Sequence, residues 1–176
     1  VQEFDDVFKG LGRLEGDVRI HLRENAKPVQ CPPRKIPVAL RGDIVERVRQ
    51  LEEQGVITPV HGPSEWISQM LVVAREGRKL RVTLDPYHLN RASRRAHYPL
   101  PVLSDILPRL AKARFFFVAD ASDGFFQCVL EEESTDLTTF RTPLGRYKYL
   151  RMPQGLSISP EIYQAKQIKA LENLKG

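Results

Sequence analysis

At 176 residues, 41% hydrophobic and 28% charged, the chain has enough apolar side chains for one ordinary globular domain and too many for wholesale disorder. Its formal charge of +5 leaves two readings open, a polyanionic partner or a basic solvated surface. Two cysteines, Cys31 and Cys128, at no metal-ligand spacing exclude a disulfide framework, and no apolar run approaches membrane-spanning length.

With no signal-peptide pattern at the N-terminus, these features imply an intracellular protein, cytoplasmic or nuclear, that is not secreted. The chain starts on Val1 and stops on Gly176 within helix-like sequence, which suggests an excised piece of something longer. Residues 1–37 read as an extended N-terminal arm or linker. Cys31-Pro32-Pro33 and Ile36-Pro37 bar a regular helix there, and Phe4, Val7, Phe8 and Leu11 allow one short apolar turn.

Leu40 to Gln54 is predicted as a helix, with Leu40, Ile44, Val45, Val48 and Leu51 on one face and Gly55 as its stop. Arg41, Arg47 and Arg49 take the other face, where they suit either a phosphate backbone or a solvated surface of ion pairs. Trp66 to Ala74 and Lys79 to Asp85 read as the two strands of a hairpin. In the second, Leu80, Val82 and Leu84 alternate with Arg81, Thr83 and Asp85. The turn Arg75-Glu76-Gly77-Arg78 is either a solubilising tip or a flap over an anion. Pro86 to His97 is polar and basic, and a helix should follow through Val102, Leu103, Ile106, Leu107 and Leu110, disturbed by Pro108.

Phe115 to Leu130 is the stretch that carries chemistry. The apolar run Phe115 to Ala119 predicts a buried strand ending abruptly on Asp120. The turn Ala121-Ser122-Asp123-Gly124 follows, then Phe125 and Phe126 open a second strand-like segment. A carboxylate at a strand end beside a turn with free N–H groups suits a metal and a phosphate together. Glu131 to Asp136 reads as an acidic turn, and Thr138 to Thr142 and Arg146 to Met152 as short strands. Pro153-Gln154-Gly155 is a turn, and a last helix starts with Ser159 as N-cap and Pro160 at N1.

Residues 55 to 164 resemble the reverse transcriptase of Gypsy-type long-terminal-repeat retrotransposons. The resemblance is carried by Leu80-Arg81-Val82-Thr83-Leu84-Asp85-Pro86, Tyr98-Pro99-Leu100-Pro101, Val118-Ala119-Asp120 with Gly124-Phe125, Thr139 to Tyr147, and Met152-Pro153-Gln154-Gly155-Leu156 with Ser159-Pro160. It implies an α+β polymerase right-hand fold. Residues 38–100 would form a fingers-like region with a basic hairpin, and residues 101–176 the first half of an antiparallel-sheet palm with packed helices.

The activity implied is RNA-directed DNA polymerisation, a magnesium-dependent nucleotidyl transfer from deoxynucleotides to a primer on an RNA or DNA template. Asp120 takes the place of the first catalytic carboxylate and Mg²⁺ ligand, and Ala121 offers its backbone carbonyl to a metal. Asp123 and Gly124 fall where backbone N–H groups cradle the triphosphate, and Phe125 where a bulky ring excludes a ribose 2′-hydroxyl. Arg81 matches the fingers arginine that reaches the phosphates. Arg75 stands for the hairpin-tip cation, although Ala74 replaces a commonly basic neighbour. Gln154 matches a residue touching the nucleotide sugar, a place where many Gypsy relatives carry Phe and retroviral enzymes Gln. The family's second metal motif, Tyr-x-Asp-Asp, would follow beyond Gly176, so the fragment alone is expected to be inactive. Its partners would be template-primer, nucleotide and the rest of a polyprotein, with no membrane. The alternative is a non-catalytic, nucleic-acid-binding remnant of a retroelement.

Overall fold

The computed structural model describes residues 9–73, 80–95, 97–99, 102, 104, 107–108, 111, 114–116, 118 and 120–172. The expected apolar turn at Phe4, Val7 and Phe8 and the whole hairpin tip, with Arg75 and Arg78, lie outside these residues. So do Leu103, Ile106 and Leu110 of the helix expected after Pro101, of which Ser104, Leu107 and Pro108 are helical.

The first helix, α1, runs over Arg41–Glu53 and buries Ile44, Val48 and Leu51 along the stripe that its spacing predicts. Gly55 ends it in a left-handed conformation, φ +65°, which costs a glycine nothing. Strand β1 (Ile57–Pro59) follows, then β2 (Met70–Val73) and β3 (Arg81–Leu84), which pair antiparallel with Met70 opposite Leu84. Thr83, expected to face outward, is buried beside Val82 and Leu84, because the 153–155 turn covers it.

Tyr87–Ala92 forms a short helix, α2, where the sequence shows only polar and basic character. Its single buried residue is Leu89, too little apolar periodicity to be read as a helix. Glu132–Leu137 is likewise a helix, α3, rather than a turn; Thr135 and Thr138 hydroxyls bond back to carbonyls three residues earlier. Strands β4 (Phe140–Thr142) and β5 (Gly145–Tyr149) complete a three-stranded antiparallel sheet in the order β1-β5-β4. The last helix, α4, spans Ser159–Leu171. Its N-cap is Ile158 rather than Ser159, whose hydroxyl is turned inward to donate to the Pro153 carbonyl at 3.1 Å.

The core joins both sheets to α1. Tyr149 is fully buried and stacks on Phe140 at 5.1 Å and on Phe126 at 6.3 Å between ring centroids. Residues 9–37 contain no helix of their own, and they are threaded against the body by backbone bonds. Val18 N–H donates to Val129 and Cys31 N–H to Ile67, and Val18 and Ile20 are buried.

The expected buried strand at 115–119 is corrected by the structure at Phe115, Phe116 and Val118, while Phe117 and Ala119 lie outside the described residues. Phe115 and Val118 are 93% and 89% exposed, Phe116 is exposed, and none of the three lies in a strand. A strand needs a ladder partner and a covering layer, and among the described residues no strand pairs with this run. Phe125 and Phe126 also do not open a strand: they belong to a 3₁₀ helix over Gly124–Gln127, after which Val129 and Leu130 form isolated bridges.

Candidate active site

Asp120 and Ala121 are exposed at the start of a turn. At Asp123 the backbone enters the left-handed region, φ 49° and ψ 40°, a conformation that costs a non-glycine residue about 1 kcal/mol or more. This reversal begins the 3₁₀ helix. Its first internal bond runs from Phe126 N–H to the Asp123 carbonyl at 2.8 Å. The N–H groups of Gly124 and Phe125 therefore have no acceptor within the helix. The turn thus supplies a carboxylate, a neighbouring carbonyl and two N–H donors that the helix itself does not use, within a few residues.

Helix α4 backs this turn closely. A Cβ built on Gly124 would stand 2.5 Å from Tyr163 Oη and 2.7 Å from its Cζ, so a side chain there has no room. The Phe125 ring meets Tyr163 edge to face, 5.4 Å between centroids at 85°. Tyr163 is in turn held by Gln167, whose Nε2 donates to the phenol oxygen at 2.9 Å. Burial first, then the nearby Cys128 and Asp120 groups, raises the Tyr163 hydroxyl above its usual pKa.

On the opposite side, the Pro153-Gln154-Gly155 turn is tied down at each carbonyl. Ser159 donates to Pro153, Thr83 Oγ1 to Gln154 at 3.1 Å, and Asn90 Nδ2 to Gly155 at 3.0 Å. Asn90 also accepts from the Ser157 N–H at 2.8 Å, so α2 clamps the C-terminal end of the turn. Gly155 adopts φ +96° with Pro86 close against it. Arg81 reaches the same place from the start of β3, exposed at the rim.

Every site residue expected from the sequence, Arg75 excepted, borders one cleft of about 390 Å³: Arg81, Asp120, Ala121, Asp123, Gly124, Phe125 and Gln154. Arg75 lies outside the described residues. Tyr163 and Gln167 line the cleft as well and were not foreseen, since their i, i+4 spacing means nothing until α4 is known to pass behind Gly124. Arg47 is expected from the sequence either on a phosphate backbone or on a solvated helix face. It is half-buried and borders an adjoining hollow of about 250 Å³ with Arg81, Asp123 and Gln154.

Hard oxygen donors, a carboxylate and a carbonyl, suit Mg²⁺. Among the described residues no cluster of three or more His, Cys, Asp or Glu side chains could hold a metal ion. Asp120 and Ala121 therefore fit one side of a magnesium site rather than a whole one.

Residues 62–176 match the family model of "Reverse transcriptase (RNA-dependent DNA polymerase)", and the chain belongs to this family. The resemblance to Gypsy-type elements holds among its relatives, which are retrotransposon Pol polyproteins. The Pol polyprotein of transposon opus from Drosophila melanogaster is 28% identical over 165 residues, covering 92% of this chain and 16% of the relative. That of transposon 297 from the same organism is 34% identical over 126 residues, covering 69% of this chain and 12% of the relative.

In three dimensions, the prototype foamy virus protease–reverse transcriptase superposes with a TM-score of 0.82 at 21% identity, over 99% of this chain and 24% of that one. A foamy viral protease–reverse transcriptase in complex with an RNA/DNA hybrid gives 0.73 at 20% identity, over 94% of this chain and 22% of that one. The expected α+β right-hand fold agrees with this likeness. The chain spans less than a quarter of the length of each of these proteins. No described helix is long and apolar enough to cross a membrane.

Proposed function

We propose that residues 1–176 are the fingers and the first half of the palm of an RNA-directed DNA polymerase that extends a primer with deoxynucleotides. An extended arm (1–37) would precede the fingers (38–100) and the partial palm (101–176). The observation that carries the reading is the convergence of Asp120, the 123–125 turn, Gln154 and Arg81 on one cleft, from segments far apart in the sequence.

In this reading, Asp120 and the Ala121 carbonyl hold Mg²⁺ from one side, and a second carboxylate motif from elsewhere in a polyprotein completes the site. When bound, the two ions supply Lewis-acid stabilisation of the transferred phosphoryl group. The chain's own groups position the nucleotide. The Asp123–Phe125 turn presents N–H donors to the triphosphate, and Arg81 adds a planar guanidinium suited to phosphate. Arg75, at the hairpin tip, is assigned a second phosphate contact on the resemblance alone. Phe125, braced from behind by Tyr163, forms the wall under the sugar, and Gln154 faces the sugar from the clamped turn. The complex of the foamy viral relative with an RNA/DNA hybrid supports a template-primer duplex as the partner.

Two results test the proposal. The 176-residue chain alone should show no Mg²⁺-dependent primer extension, because one carboxylate cannot position two ions. Extension by the purified chain would contradict the half-site. In an active polyprotein carrying these residues, Phe125→Ala should raise ribonucleotide incorporation about 10–200-fold, the range a steric pocket commands. Unchanged discrimination would remove Phe125 from the sugar wall.

A further inference from the structure

Arg47 has no part in the nucleotide contacts proposed above, yet helix α1 carries it inward. It directly precedes the fully buried Val48, and its own side chain is half-buried. Tyr149, at the centre of the core, reports its direction. Burial raises the Tyr149 hydroxyl above its usual pKa, and a hydrogen bond with Thr83 and then the Arg47 charge oppose that rise. A guanidinium felt at a fully buried hydroxyl lies against the core rather than out in solvent. There it meets no anion among the described residues. Its Nη1 donates to the neutral Gln50 Oε1 at 3.3 Å, and its Nε is buried with no acceptor. A half-buried cation without a counter-charge costs stability, which marks it as a candidate for binding rather than for folding.

The hollow of about 250 Å³ that Arg47 shares with Arg81, Asp123 and Gln154 supplies the place for an anion. At about 30 Å³ of liquid for each water, it has room for several waters or one pyrophosphate. Two arginines face it against one carboxylate, Asp123, which pairs with neither. Guanidinium forks suit phosphate oxygens, which they hold bidentately. Arg81, Asp123 and Gln154 border the nucleotide cleft as well, so the hollow and the cleft share a wall.

Nucleotidyl transfer releases an anion at that wall. The primer hydroxyl oxygen bonds to the α-phosphorus while the bond from it to the α–β bridging oxygen breaks. The bridging oxygen leaves with pyrophosphate, and the hydroxyl proton passes to solvent. Pyrophosphate is thus set free at the end of the nucleotide that Arg81 would hold. We infer that the hollow between α1 and β3 is a subsite for the product pyrophosphate, held by Arg47 together with Arg81 as it leaves the cleft. The identity of the anion rests on the polymerase reading, and the presence of an anion site does not.

Isothermal titration calorimetry of the 176-residue chain with inorganic pyrophosphate tests the site without any polymerase activity. Wild type should show saturable binding. Arg47→Met, which keeps the apolar stem of the side chain, should weaken it at least about tenfold, the usual worth of a hydrogen bond to a charged group. Arg49→Met, an equal loss of charge at an exposed position of the same helix, should stay within about twofold. Thermal melting establishes that each variant is folded. If Arg47→Met is not, Arg47→Lys, which keeps the charge but loses the fork, should weaken pyrophosphate at least about threefold. In an active polyprotein carrying these residues, Arg47→Met should raise KM for pyrophosphate in the reverse reaction at least about tenfold. KM for the deoxynucleotide in the forward reaction should change by less than about twofold. The inference is overturned if wild type shows no saturable binding, if the folded Arg47 variant binds as wild type, or if Arg49→Met loses as much. Equal rises in both KM values would place Arg47 on the incoming triphosphate and overturn it as well. Absence of pyrophosphate binding would leave Asp120 and the polymerase reading untouched, so the two fail separately.

Discussion

Gly124 is the residue where packing and proposed chemistry meet. The turn can approach Tyr163 only because position 124 has no Cβ, and Tyr163 is the ring that braces Phe125. Gly124→Ala should destabilise the chain by about 1–3 kcal/mol in urea unfolding, the usual range for overpacking. In a Tyr163→Ala background the same change should cost at least about 1 kcal/mol less, because the colliding ring is gone. Equal costs in both backgrounds would show that the two residues are not coupled. Asp123 shows the limit of reading residues singly. The turn composition was visible, but no sequence pattern reveals that an aspartate would take φ 49° and so free the next two N–H groups.

At the scale of elements, α4 organises both sides of the cleft, and its first turn is anchored through Glu161. This carboxylate is almost completely buried and pairs with Arg95, across 66 residues of sequence. The Arg95 hydrogen bond is the largest influence on it and, against the opposing effect of burial, holds its pKa below the ordinary value of 4.5. Because the folded-state value is depressed, the pair's contribution is fully present above pH 4.5 and is lost as pH falls through the folded value. Melting temperature should therefore drop between about pH 5 and pH 3 more steeply in wild type than in Glu161→Gln. Parallel profiles would remove the pair from the account of stability.

The sequence made α1, the β2–β3 hairpin and α4 legible because each has a clear period or a strong breaker: the stripe Ile44-Val48-Leu51, the alternation around Val82, and Pro160. It hid α2 and α3, short and mostly polar helices held by contacts rather than by an apolar pattern. It misread Phe115, Phe116 and Val118, because an apolar run forms a buried strand only if something lies over it.

Over the whole molecule, Asp120 and its turn stood out by their chemistry, and Arg81, Phe125 and Gln154 only by the family resemblance. Only the folded chain brings Gln154, Arg81 and Asp120 to one cleft. The arm is the opposite case. Its prolines mark it as extended, yet Val18 and Ile20 are buried in the core. Ile20→Ala should cost about 2–5 kcal/mol by denaturant unfolding, as for any buried aliphatic residue. A change under about 0.5 kcal/mol, the range of surface positions, would make the arm a dispensable linker.

The central claim is that Asp120 forms one side of a polymerase metal site. Its most direct test is primer extension on a primed RNA template by an active polyprotein containing this chain, with and without Asp120→Asn. The account predicts that extension falls by more than about a hundredfold, beyond the loss expected from disturbing a residue that only supports a ligand, while template-primer affinity stays within about twofold. Extension retained at the wild-type rate in Asp120→Asn would contradict it.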